Sequence, residues 1–179
     1  MLVIITLAAA FGLGMVYEIT KGPILAQHEN AQVKALAVLL PEASDFVPAG
    51  DIIQAPGAEL LYTGYGGGEL KGYIISTEAN GYGGKIGVLT AIDAGGAVRG
   101  IDIYKSSETP GLGDHIRDKS FTARFAGAAA HLTVVKNDPK TNEIQAVTGA
   151  TVSTSAVVSA VNAAIGYYME HLAGGGNFK

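Results

Sequence analysis

Residues 72–104 read GYIISTEANGYGGKIGVLTAIDAGGAVRGIDIY, and the reading of this stretch decides the fold. Three runs rich in Ile, Val and Tyr occupy residues 72–77, 86–93 and 98–104, with glycine turns between them. Branched and aromatic residues bounded by Gly and Asp are strand signals, and Asp93-Ala94-Gly95-Gly96 reads as the turn of a hairpin joining the second and third runs. The segment is therefore expected to form antiparallel strands.

Working outward, residues 118–125 read as a short helix with Phe121 and Phe125 one turn apart. Residues 131–135 and 144–147 read as two further strands. The second leads into Thr148-Gly149-Ala150-Thr151 and then a long helix over residues 152–172, with Val157, Val158, Val161 and Ile165 on its apolar face. On the other side, residues 44–70 read as loop-rich, closing on the glycine cluster Gly64-Tyr65-Gly66-Gly67-Gly68. Residues 24–40 place Ile24, Leu25, Ala35, Leu36, Leu39 and Leu40 at near-helical spacing, between Pro23 at the start and Pro41 just past the end. This order fits an α+β domain built on one antiparallel sheet better than a doubly wound fold. The two glycine clusters, at residues 64–68 and 81–84, read as turns rather than as a duplicated unit.

The chain is 48% hydrophobic and 16% charged, against roughly 25% charged residues in an average soluble domain. Its mean hydropathy is +0.28, and the excess sits at the start. No charged side chain occurs from Met1 to Tyr17, Glu18 is the first, and Lys21-Gly22-Pro23 breaks the run. A spanning helix needs about 20 residues, which residues 2–20 supply. A buried core helix is the competing reading. A cleaved signal peptide would want a basic segment before the apolar run, and the sequence shows none there. A single membrane anchor is favoured. The division expected is an anchor at residues 1–21, a juxtamembrane helix at 22–43, a folded domain at 44–173 and a flexible tail at 174–179. Twelve Lys and Arg against sixteen Asp and Glu, with no basic run, argue against nucleic acid as a partner. With no cysteine in the chain, disulfides, thiolate metal sites, cysteine-ligated clusters and a cysteine nucleophile are excluded. The four histidines are scattered without metal-ligand spacing, so no metal site is expected.

Two segments carry the chemistry. Thr148-Gly149-Ala150-Thr151-Val152-Ser153-Thr154-Ser155 sets five hydroxyls at the start of a helix, immediately after a strand. Free N–H groups and the helix dipole make such a turn a phosphate site. The same residues equally suit an N-cap cluster without a ligand. Glu108-Thr109-Pro110-Gly111-Leu112-Gly113 follows the strand ending at Tyr104, where Pro110 stiffens a loop whose glycines permit close approach to a flat ligand. An ordinary turn carrying a surface acid reads the same way. No Gly-Lys-Ser/Thr follows the glycines, so the NTPase phosphate loop is excluded.

Taken together and in this order, the two segments resemble the FMN-binding RnfG family, the G component of the Rnf ion-translocating electron-transport complex. More distantly, they are similar to the C component of the sodium-pumping NADH:quinone oxidoreductase. Thr148-Gly149-Ala150-Thr151 resembles the RnfG family's flavinylation motif and Glu108 to Gly113 its second hallmark loop. Thr20-Lys21-Gly22-Pro23-Ile24 and Gly81-Tyr82-Gly83-Gly84 match as well, so the likeness covers nearly the whole chain.

The resemblance implies FMN joined through its phosphate to Thr151 by a separate flavin transferase. It implies further contacts to the cofactor from Glu108, Thr109, Gly111, Leu112, Gly113, Thr148, Gly149, Ala150, Ser153 and Thr154. The implied role is electron carriage as one component of a ferredoxin:NAD oxidoreductase that moves Na⁺ or H⁺, with no complete activity expected of this chain alone. The other membrane subunits are the implied partners. The implied location is a bacterial or archaeal cytoplasmic membrane, single-pass, with the FMN domain on the periplasmic or outer side. Relatives usually carry basic residues before the anchor, whereas this sequence begins Met-Leu-Val, so orientation rests on the resemblance alone. A stand-alone anchored FMN carrier for an extracytoplasmic reductase is the alternative. A non-redox anchored scaffold, its hydroxyl-rich turn only a helix cap, is a third reading.

Overall fold

The computed structural model describes Thr6, residues 36–48 and residues 58–173. Apart from Thr6, the expected anchor lies outside the described residues, as do most of the expected juxtamembrane helix and the tail. Residues 36–39 are helical, which is the last turn of the helix expected at 24–40. Among the described residues no helix is long and apolar enough to cross a membrane.

Five strands follow one another as an antiparallel meander: β1 (Asp45–Pro48), β2 (Ala58–Gly66), β3 (Glu69–Asn80), β4 (Lys85–Asp93) and β5 (Val98–Lys105). The three strands expected from the 72–104 stretch are present. β3 and β4 pair without a register shift, from Gly72 opposite Asp93 to Asn80 opposite Lys85. The hairpin turn at Asp93 also forms. Its carboxylate accepts hydrogen bonds from the Gly95 and Ala97 amides at 2.9 and 3.0 Å, which is how a short acidic side chain stabilises a turn.

The described residues of the loop expected at 44–70 are instead largely strand, because β1, all of β2 and the start of β3 lie in it. Only Gly67 and Gly68 of the glycine cluster are turn residues, with φ of +62° and +84°, the pair of positive values that a tight hairpin demands. Gly64 is a strand residue, and a Cβ there would stand 2.7 Å from Leu40 Cδ2 and 3.0 Å from Ala43 Cβ. That glycine records close packing from another segment rather than a bend.

After β5 the chain makes a 3₁₀ turn (Gly113–Arg117), a single α turn α1 (Lys119–Thr122) and another 3₁₀ turn (Ala123–Phe125), in place of the continuous helix expected over 118–125. Phe121 and Phe125 are buried and meet edge to face at 5.4 Å. β6 (Thr133–Val135) and β7 (Glu143–Gln145) pair in parallel, apart from the main sheet. Parallel strands ordinarily need a long crossover. These have three residues each, so the chain need return only about 10 Å. The long helix α2 (Thr151–Tyr167) starts one residue before the expected position and ends in a π turn (Tyr168–Leu172).

The helix α2 lies on one face of the sheet, its Val157, Val158, Val161 and Ile165 buried with Ile75, Val88, Ile101 and Ile103. Full burial of such a side chain is worth roughly 1.5–3 kcal/mol. Two polar contacts fix the register. Thr77 Oγ1 donates to the Ala160 carbonyl at 2.9 Å, and the Asn162 side chain holds both backbone groups of Leu132 at 2.8 Å. On the opposite face, Leu36, Leu39, Leu40 and Ala43 are buried, with Leu39 beside Gly100 and Leu40 beside Gly64. The Tyr168 hydroxyl donates to the Ala94 carbonyl in the β4–β5 turn. The far end of α2, its N-terminus, therefore lies at the opposite end of the sheet, where β5 ends and the β3–β4 loop turns.

Candidate functional site

Three segments meet at that end. The first is the β3–β4 loop, Gly81-Tyr82-Gly83-Gly84, closed by a 2.7 Å hydrogen bond from the Gly81 amide to the Gly84 carbonyl. The second is the loop after β5, where the Leu112 and Asp114 amides both donate to the Thr109 carbonyl at 3.2 and 3.3 Å. The third is the turn entering α2. There Gly149 has φ of +78°, and the Ala150 amide donates to the Val147 carbonyl at 2.9 Å.

That third turn is held by Thr154, which is fully buried. Its hydroxyl donates to the Ala150 carbonyl at 2.9 Å and accepts the Val147 amide at 3.1 Å. The residue at the N-cap position is Ala150, and no side chain caps the helix. Of the two readings left open for the hydroxyl cluster, a conventional cap is not what forms. The first-turn N–H groups, with the partial positive charge of the dipole, are left open beside the Thr151 hydroxyl, which is exposed.

The three segments enclose a cleft of about 430 Å³, a size that suits a small-molecule cofactor. From the loop after β5, Glu108, Thr109, Leu112 and Gly113 line it. From the helix entry, Gly149, Ala150, Thr151 and Ser153 line it. The sequence segments, far apart in the chain, thus share one cavity. Gly111 and Thr148 lie instead on a neighbouring open cleft that also holds His115, Asp118 and Arg124. Thr154 sits behind the turn it holds. Val152, 53% exposed, and Tyr82, 79% exposed, also line the main cleft and were not among the residues expected. An aromatic between glycines, in a run already noted before a strand, is the signal that marked Tyr82.

Glu108 is the one formally charged side chain lining this cleft among the described residues. Its carboxylate is engaged within the protein. Oε1 accepts the Tyr82 and Gly83 amides at 2.9 and 3.0 Å, and Oε2 accepts the Ser153 hydroxyl at 2.7 Å. Ser153, like Glu108, is buried.

At the base of the same two loops, Glu78 bridges Lys105 at 2.6 Å and Lys85 at 2.9 Å, tying β3, β4 and β5 together. Hydrogen bonds from Lys105 and Lys85 hold the Glu78 carboxyl below the usual carboxylate range, and Glu78 in turn raises both lysines. Among the described residues, no group of His, Asp and Glu is placed to hold a metal ion.

A family model described as an FMN-binding domain matches residues 81–166, from the glycine loop through most of α2. The chain is 39% identical to the G component of the Na⁺-translocating ferredoxin:NAD⁺ oxidoreductase complex of Acetobacterium woodii, over 93% of this chain and 88% of that one. It is 36% identical to the G component of the proton-translocating ferredoxin:NAD⁺ oxidoreductase complex of Clostridium ljungdahlii, over 84% and 78% of the two chains. The crystal structure of Shewanella oneidensis NqrC shares the fold, with a TM-score of 0.53 at 21% identity over 73% of this chain and 67% of that one. On likeness over most of both chains and on the matched FMN-binding domain, this chain belongs to the RnfG family of the Rnf-type ion-translocating oxidoreductase complexes.

Proposed function

We propose that this chain is a membrane-anchored electron-transfer subunit that carries FMN covalently, through a phosphoester to the Thr151 hydroxyl, in an ion-translocating ferredoxin:NAD⁺ oxidoreductase complex. The observation that carries the reading is the convergence of the loop after β5 and the turn before α2 on one cleft, with Thr151 exposed at an uncapped helix N-terminus. When bound, FMN supplies the redox chemistry. The chain's part is to hold and orient it. A phosphate on Thr151 would face first-turn amides, and a helix N-terminus stabilises an anion there by roughly 0.3–1 kcal/mol, up to about 2 where partly buried. Leu112, Val152 and Tyr82 offer apolar surface to a flat ring. Among the described residues no Lys or Arg lines the cleft, so retention by charge alone would be weak and a covalent link makes up the difference.

The uncharged stretch before Glu18 supports an anchor over residues 1–21. The same reading has the FMN domain on the outer side of the cytoplasmic membrane, the other Rnf subunits as partners, and a flavin transferase as the enzyme that makes the bond. Likeness over most of the length of the RnfG relatives supports the complex over a stand-alone carrier.

The test is to express the full chain with a flavin transferase, denature it in acid, and follow flavin fluorescence and mass on the protein. Wild type and Ser155→Ala, an exposed helix position, are expected to retain flavin, and Thr151→Ala to lose it. A wild-type chain that stays colourless, or a Thr151→Ala chain that still carries flavin, would overturn the assignment.

A further inference from the structure

The contacts of Glu108 are not those of a residue aimed at a ligand. A buried acid in the wall of a cofactor cleft spends both oxygens on its own protein: on two consecutive amides of the β3–β4 loop and on a hydroxyl in the first turn of α2. The backbone is shaped around it. A Cβ at Gly81 would collide with Glu108 Oε1, one at Gly83 with the Ser107 carbonyl, and one at Gly113 would stand 2.6 Å from Glu108 Oε2. Glycines from two loops thus close on one carboxylate and its chain neighbour. The hairpin pairing of Asn80 with Lys85 and the Gly81–Gly84 hydrogen bond close the β3–β4 loop on itself, but they do not tie it to the segment after β5. Its one side chain of any size, Tyr82, is 79% exposed. The two amide hydrogen bonds to Glu108 Oε1 are what tie the tip of the loop to the segment after β5.

We propose that Glu108 is a positioning residue: a strut that sets the Tyr82 loop at a fixed distance from the Thr151 end of α2, so that Tyr82 forms a rigid wall against the flavin ring. This rests on the reading of the cleft as the FMN site. Anchoring through Thr151 alone leaves the ring on a flexible tether, whereas a wall at a set distance restricts it to one orientation. Glu108 acts through Tyr82 and Ser153.

The geometry separates strut from charge. In Glu108→Gln the amide oxygen can still accept the two loop amides and the amide nitrogen can donate to the Ser153 hydroxyl. In Glu108→Ala nothing replaces the strut. Two readouts on the full chain test the proposal. In the flavin-free protein, hydrogen exchange of the Tyr82 and Gly83 amides is expected to be on the order of tenfold faster in Glu108→Ala than in wild type, and near wild type in Glu108→Gln. In the flavin-loaded protein, ring contact with Tyr82 quenches emission. Wild type and Glu108→Gln are therefore expected to be dim and of high anisotropy. Glu108→Ala and Tyr82→Ala, with flavin still attached, are expected to be brighter and of lower anisotropy. Tyr82→Ala alters only an exposed side chain and so keeps the test open should Glu108→Ala fold poorly.

Unchanged exchange at residues 82 and 83 in Glu108→Ala would overturn the strut. Emission of Tyr82→Ala matching wild type would overturn the wall. Glu108→Gln behaving like Glu108→Ala would assign the role to charge and overturn the proposal as stated. A chain that accepts no flavin at all defeats the proposed function instead, and the exchange arm reads the strut regardless.

Discussion

Thr154→Val separates a residue that holds the site's backbone from one that contacts a ligand. The substitution keeps shape and volume and removes one hydroxyl from a fully buried position. Two hydrogen bonds are lost, and they are unequal. The Ala150 carbonyl still accepts the Thr154 amide at 2.9 Å, so losing the 2.9 Å bond from the hydroxyl costs little. The Val147 amide loses its acceptor at 3.1 Å, and an unsatisfied, partly buried donor costs about 1–3 kcal/mol. Val147 is only half-buried, so water recovers part of this, and a net loss of about 1–2 kcal/mol is expected. For a chain of this size that is a fall of roughly 2–8 °C in Tm, or a lower urea midpoint at unchanged slope. The chain entering α2 should loosen together with this bond. Covalent flavin on Thr151 is therefore expected to fall in yield although Thr151 is intact. Denaturation of the flavin-free chain and acid-stable fluorescence of the loaded one measure the two effects. Stability within about 0.3 kcal/mol of wild type would refute the reasoning. So would a large loss of flavin in a chain whose stability is unchanged, because Thr154 would then act on the ligand and not on the turn.

Asn162→Ala should be the costlier change, at about 2–4 kcal/mol, because it strips partners from both the amide and the carbonyl of Leu132, each held at 2.8 Å. A urea midpoint near that of wild type would contradict it. The Glu78 bridge predicts a pH dependence. Its folded pKa lies below the unfolded one, so the stabilisation is complete above the ordinary carboxylate range and is lost as pH falls through the lowered folded value. The raised values of Lys85 and Lys105 work the other way, with stabilisation present below their ordinary range and lost as pH rises through the raised values. Both lysines are half exposed, so the effect should shrink with salt. Urea midpoints from pH 7 down to about 3 should decline less steeply in Glu78→Gln than in wild type, and identical slopes would refute the assignment.

The parts legible in the sequence are those whose cause is local. The runs at 72–77, 86–93 and 98–104 are rich in Ile, Val and Tyr and are separated by glycine turns, and they became β3, β4 and β5. The Phe121 and Phe125 spacing marked a helical pair, but whether those residues formed one helix or an α turn flanked by 3₁₀ turns depended on how they settled under the sheet. Gly64 misled because glycine has two causes. A turn needs its dihedral freedom, while a crowded strand needs its missing Cβ, and only Leu40 and Ala43 across the fold distinguish them. The parallel pairing of β6 with β7 left no local trace at all.

The same division runs through the site. The sequence by itself determined its chemistry: hydroxyls after a glycine at a helix start, a stiffened glycine loop after a strand, and no cysteine, which excludes a cysteine-ligated cluster. Residue type and short spacing suffice for that, because a helix N-terminus and a tight turn are made by neighbours in the chain. Only the tertiary structure decided what each residue does there. It left Thr151 exposed, turned Thr154 inward to hold the turn, committed Glu108 to the protein's own amides, and brought Tyr82 to the cleft from another hairpin. The reason is physical: an acid or a hydroxyl carries the same donors and acceptors everywhere, and which partner takes them is set by segments that meet only when the sheet and α2 have packed.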